Sequence, residues 1–275
     1  MQYLGVDFTS APRRAKPITV ARGRLDGVRV RLDRVDRLES LRAFEDLLLE
    51  PGPWTGGFDF PFGLPRELVE ALGWPREWRA CIEHYARLDR ATIRDTFAAF
   101  CAARPAGSKF AYRACDRPAG SSPSMKWVNP PVAFMLHAGV PRLVAAGVRL
   151  PALHHGDPAR VALEAYPGLL ARELIGSRSY KSDTRAQQTA ARLIARKDLL
   201  DALEQGRTRL GLRIVLSHAQ RDALVADAAG DLLDAVLCLV QAAWAGTRPG
   251  WGMPARVDPL EGWIVSAAAP QAGGA

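Results

Sequence analysis

The chain has 275 residues, 48% of them hydrophobic and 24% charged, and 37 basic against 29 acidic residues leave a net charge of +8. This composition excludes a disordered or fibrous chain, and the length supports a core that needs neither disulfides nor a structural metal. The basic excess is compatible with a polyanionic partner, nucleic acid above all, though it is spread along the sequence and rich in arginine.

Cys81, Cys101, Cys115 and Cys238 lack Cys-x-x-Cys spacing and read as reduced thiols. No apolar run has the length of a membrane span. The first strand starts almost at the first residue, so no leader and a cytoplasmic location are expected.

In chain order, residues 2–7 read as a strand and Arg13 to Lys16 as a turn. Pro17 to Gly23 start a second strand, and Asp26-Gly27 marks a tight turn between it and the next. Val28, Val30 and Leu32 then alternate with Arg29, Arg31 and Asp33, the pattern of a half-exposed third strand. Leu38, Leu41, Phe44, Leu47 and Leu48 recur at helical spacing, which predicts an amphipathic helix over 37–49, ended by Pro51-Gly52-Pro53. A fourth strand runs from Trp54 to about Phe60, and a strand after a helix commonly pairs parallel to an earlier one.

Residues 65–104 read as helical, with Trp74, Trp78, Ile82, Tyr85 and Leu88 as the apolar stripe. A loop from Pro105 to Pro130 mixes cations with aromatics, and loops of that length in a compact domain are functional or disordered. Further helices are expected at 131–147, 167–175, 184–205, 218–226 and 230–245, a fifth strand at 160–165, and a short strand at Trp263-Ile264-Val265. The expected layout is one domain over 1–266 with a helical insertion at about 65–150, then a frayed tail at 267–275.

Acidic residues close three of these strands. Asp7 ends the first, Asp59 the fourth and Glu164 the fifth, while Asp231 and Asp234 open the last apolar helix. Carboxylates that converge from distant segments can hold a hard divalent cation. Each has a plainer alternative: a cap for Asp7, Glu164 and Asp231, and an Asx turn for Asp59. Asp234, one turn into the helix, is harder to explain as a cap. Arg113, Lys126 and Lys181 are placed to grip a phosphate, against a solvated surface role for each. His154-His155 and His137 read as surface and packed residues. No Gly-x-Gly-x-x-Gly, Walker loop or nucleophile elbow is present.

Four local sequences carry a resemblance. Gly5-Val6-Asp7-Phe8-Thr9-Ser10, Phe58-Asp59-Phe60-Pro61-Phe62-Gly63-Leu64-Pro65, Glu164-Ala165-Tyr166-Pro167 and Asp231-Leu232-Leu233-Asp234-Ala235 resemble the motifs of a large family of uncharacterised proteins. Ser179-Tyr180-Lys181-Ser182 is similar to a further segment of it. That family is described as predicted nucleases. The resemblance implies an α/β fold of the ribonuclease H-like type: a mixed five-stranded sheet, an antiparallel three-strand meander plus parallel strands, flanked by helices.

It also implies a metal set of Asp7, Asp59, Glu164 and one or both of Asp231 and Asp234. The expected activity is Mg²⁺- or Mn²⁺-dependent hydrolysis of phosphodiester bonds in DNA or RNA. Two ions about 3.5–4 Å apart would be bridged by Asp7, with Asp59 and Glu164 on one and Asp234 on the other. The rivals are an ATP-dependent phosphotransferase of the actin and sugar-kinase type and a non-catalytic nucleic-acid-binding protein. Against the former, the second motif lacks a glycine-rich phosphate loop.

Overall fold

The computed structural model describes residues 1–269. Strands β1 (Gln2–Asp7), β2 (Ile18–Asp26) and β3 (Arg29–Leu38) form the antiparallel meander, turning at Gly27 with its φ of +57°. Helix α1 (Leu41–Leu48) starts later than its apolar spacing suggests. Strand β3 continues to Leu38, which pairs with Ile18, and the Ser40 hydroxyl then accepts from the Ala43 amide as the cap. Strand β4 (Trp54–Phe58) lies parallel to β1.

The helical stretch expected over 65–104 is three helices, α2 (Arg66–Ala71), α3 (Trp78–Ala86) and α4 (Arg90–Ala102). Gly73 at φ +65° breaks the first two, and Asp89 caps the third. The long loop holds a short helix, α5 (Asp116–Ala119), and is followed by α6 (Val132–Ala145). Next come β5 (Val148–Arg149), β6 (Asp157–Glu164), α7 (Pro167–Ile175), α8 (Ala190–Glu204), β7 (Arg213–Val215), α9 (His218–Ala226) and α10 (Asp231–Gly246). The segment ahead of α8 is a 3₁₀ turn, Arg185–Gln187, not a continuous helix from 184.

The result is an α/β structure with a mixed sheet of seven strands, not five, in the order β5-β6-β4-β1-β2-β3-β7. The two additions are β5 and β7, of two and three residues, too short to show any period in the sequence. At Trp263-Ile264-Val265 only Ile264 bridges, parallel to Glu164, so no full strand forms there. Of the expected tail, Ala267 is buried and its amide donates to the Ile264 carbonyl, while residues 270–275 lie outside the described residues.

The sheet has two covered faces. Leu4, Val6 and Phe58 pack with Phe44 and Leu48 of α1 and with apolar residues of α3, α4 and α6. Tyr3 and Ala21 turn the other way, against the α10 side, where Leu233 to Ala243 are all buried. A helix apolar on every side belongs in the interior. No helix among the described residues is long and apolar enough to cross a membrane. All four cysteines are free and buried.

Candidate functional site

Strand register brings two of the acids together. Val6 and Phe58 are partners in the parallel β1–β4 pair, and the Asp59 amide donates to the Val6 carbonyl at 2.9 Å. Asp7 and Asp59 therefore leave adjacent strand ends in step, on one face of the sheet. Two residues back on each strand stand Gly5 and Gly57. A Cβ at Gly5 would lie 2.0 Å from the Ala235 carbonyl oxygen, and one at Gly57 would lie 2.5 Å from that of Cys238. The glycines thus let α10 lie directly on the strand backbones. Its first turn delivers Asp234 to the same spot. Ligand oxygens of Asp7, Asp59 and Asp234 all fall within 4.8 Å of one another.

Asp7 and Asp59 are half-buried, whereas Asp234 is fully buried. Burial pushes the Asp7 carboxyl well above its ordinary range, and the charges of Asp234 and Asp231 push it further. Burial, then Asp234, raises Asp59 to about 7. Carboxyls crowded and desolvated in this way are poised to be neutralised by protons or by a cation.

One cation is already present. Lys181 Nζ donates to one oxygen of Asp234 and the Tyr180 hydroxyl donates to the other. Burial pulls the ammonium down, but Asp234, Tyr180 and Asp7 outweigh it and hold it well above its ordinary value. The Tyr180–Lys181 segment is itself anchored by Arg196 of α8, which sequence reasoning missed. That buried guanidinium donates to the Tyr180 carbonyl and to the Val225 carbonyl, both at 2.8 Å. A lone arginine in an amphipathic helix gives no signal that it points inward.

Glu164 takes a different place. It is the register partner of Phe58, not of Asp59, so it points to the Phe58 face, away from the trio's side. There it receives Arg113 through both oxygens at 2.6 and 2.8 Å, and the Phe62 amide at 2.9 Å. Burial raises its carboxyl, against the pull of Arg113. Arg113 is equally committed. Besides Glu164 it bonds Asp116 at 2.8 Å and the Glu261 carbonyl at 3.1 Å, and it is 3% exposed. It is a buried ion-pair centre, not a free cation on a loop. Asp116 and Glu261 are further charged members of this corner that the sequence alone did not mark.

Asp231 also stands outside the trio, with Lys16 Nζ on its oxygen at 2.7 Å and on Asp183 at 2.8 Å. Asp231 is not the side-chain cap of α10. Asp227 accepts from the Leu232 amide at 2.8 Å, and Gly230 is the cap residue at φ +82°. Lys126 sits in the turn ahead of α6, where its amide donates to the Pro123 carbonyl. Among the described residues its side chain has no ion pair. His137 Nε2 donates to the Leu88 carbonyl, 2.9 Å away, and the ring packs edge-on to Tyr85.

Two pockets flank the trio. One, of about 70 Å³, is lined by Asp59, Arg113, Glu164, Tyr166 and Ser121. The other, of about 340 Å³, is lined by Asp7, Thr9, Lys16, Lys181 and Asp231. Pro130 and Val132 border the first and Pro131 the second, so the start of α6 forms a wall of both. Lys126 lines neither.

The chain has no match among curated proteins or among solved structures. A family model described as "Protein of unknown function (DUF429)" matches residues 5–255, which take in every acid of the site. The chain belongs to this DUF429 family.

Proposed function

We propose that this protein is a divalent-metal-dependent hydrolase of phosphodiester bonds in nucleic acid, built on a ribonuclease H-like core. The observation that carries the reading is the convergence of Asp7, Asp59 and Asp234, from two strands and a helix, between two open pockets. The meander followed by parallel strands, with acids on adjacent strand ends and on a late helix, supports the fold assignment.

The donor set fits a hard cation. It is all oxygen, and the Asp7 and Asp59 carboxyls are held above their ordinary range by burial and then by the charge of Asp234. Asp7, Asp59 and Asp234 would hold Mg²⁺ or Mn²⁺. When bound, such an ion polarises a phosphoryl oxygen and lowers the pKa of a bound water.

The other residues prepare the ground. Lys181, beside Asp234, offers an ammonium to the charge of a phosphate entering the larger pocket. Arg113, its donors taken by Glu164, Asp116 and the Glu261 carbonyl, forms a fixed wall of the smaller pocket. Lys16 holds Asp231 and Asp183 at the mouth, where a second ion would find its oxygens.

The test is calorimetric titration of Mn²⁺ and Mg²⁺ into wild type and Asp7→Asn, with cleavage of labelled DNA and RNA alongside. Wild type is expected to bind metal and cleave, and the variant to lose both with its fold intact. Equal metal affinity and equal cleavage in the two proteins would refute the reading.

A further inference from the structure

The long loop between α4 and α6 builds a second concave surface that the carboxylate site does not use. It encloses about 390 Å³ and is lined by Arg104, Lys109, Phe110, Tyr112 and Arg117, with Glu67 at its edge. Its two halves differ. Arg104 is satisfied, paired with Glu67, bonded to the Ser108 carbonyl at 2.7 Å and lying over the Phe100 ring. Lys109 and Arg117 are exposed, and among the described residues neither has a carboxylate partner. Arg117 instead lies over the Tyr112 ring, 4.7 Å from its centroid.

Tyr112 is 38% exposed, one of few large apolar side chains left in solvent. An exposed ring, an adjoining guanidinium and unpaired cations are the elements of a platform for unstacked bases and their phosphates.

The same stretch of chain also walls the carboxylate site. Tyr112 and Arg117 face this surface, while their neighbours Arg113, Ser121 and Ser122 line the pocket at Asp59. Arg113, locked to Glu164 and Asp116, fixes the wall between the two. Tyr112 and the pocket at Asp59 thus belong to one stretch of chain.

We propose that the Arg104–Arg117 surface binds single-stranded nucleic acid, with a base stacked on Tyr112 and phosphates held by Lys109 and Arg117. This rests on the proposed hydrolase reading and deepens it by naming a single strand as the substrate.

The test is fluorescence anisotropy with a labelled thymidine oligonucleotide and its uridine counterpart, in EDTA so that no cleavage intervenes. Tyr112→Ala is expected to weaken binding roughly 5- to 160-fold, the range for loss of one base stack. Lys109→Gln with Arg117→Gln is expected to lower the slope of log K against log salt by about 1.4, for two phosphate contacts to a single strand. Both changes are on exposed side chains, and circular dichroism checks the fold.

Binding by wild type in EDTA, with no cleavage once Mg²⁺ or Mn²⁺ replaces the EDTA, would sink the hydrolase reading and leave the single-strand surface standing. Cleavage that survives with Tyr112→Ala binding unchanged would overturn the surface alone. Equal displacement by duplex competitor would also overturn it.

Discussion

Gly5→Ala is the sharpest perturbation of the architecture behind the site. Ordinary contact begins at 3.4 Å, so a Cβ only 2.0 Å from the Ala235 oxygen demands a retreat of about 1.4 Å by α10 or β1. Both neighbours are backbone, at Ala235 and Leu239, so no rotamer change relieves the clash. Overpacking of this kind costs about 1–3 kcal/mol and more where the backbone resists, so a loss of about 3 kcal/mol is expected. For a chain of this size that lowers Tm by roughly 6–12 °C.

Because α10 also carries Asp234, the retreat spreads the trio. Metal sites tolerate only about 0.2 Å in ligand distance, so Mn²⁺ affinity is expected to fall at least about tenfold. Gly57→Ala meets the Cys238 oxygen at 2.5 Å and is expected to do less on both counts. The assays are thermal melts in EDTA and Mn²⁺ calorimetry on both variants. Unchanged Tm and affinity in Gly5→Ala, or a larger effect in Gly57→Ala, would refute the close-packing argument.

Further expectations concern charge. Asp59 has its carboxyl raised to about 7 by burial and by Asp234. The unfolded chain releases that proton at lower pH, so across the interval the folded state binds more protons. Stability in EDTA is therefore expected to fall as pH rises from about 4 to about 7, and Asp59→Asn to flatten the trend; superimposable Tm profiles would contradict this. Arg113→Met strips the partner from buried Glu164 and Asp116, and a loss of about 3–5 kcal/mol in urea denaturation is expected. Glu164→Gln keeps the shape and, with Glu164 off the trio's face, is expected to leave Mn²⁺ affinity within about twofold by calorimetry, where Asp59→Asn abolishes it.

Some of the fold was legible because its signals are local. Helices α7 and α9 fall on the residues expected, since Pro167 at the first turn and the Ser217–Gln220 capping box act within a few residues. The meander was readable from alternation and from Asp26-Gly27. Strands β5 and β7 were not, for two and three residues show no period, and each is defined only by its partner, β6 for the one and β3, far back along the chain, for the other.

At the site, the sequence determined the acids and their order along the chain, and in hindsight the twice-used Gly-x-Asp, at Gly5–Asp7 and Gly57–Asp59, marks strand ends built to meet a helix. Which acids share a side was decided only by tertiary structure. A one-residue difference in strand register turns a side chain through the sheet, so Glu164, opposite Phe58, went to Arg113 while Asp7 and Asp59 went to Asp234. Register depends on the summed pairing of whole strands, and the partner of a buried charge on what the other face brings to it. Neither is encoded in the few residues around an aspartate.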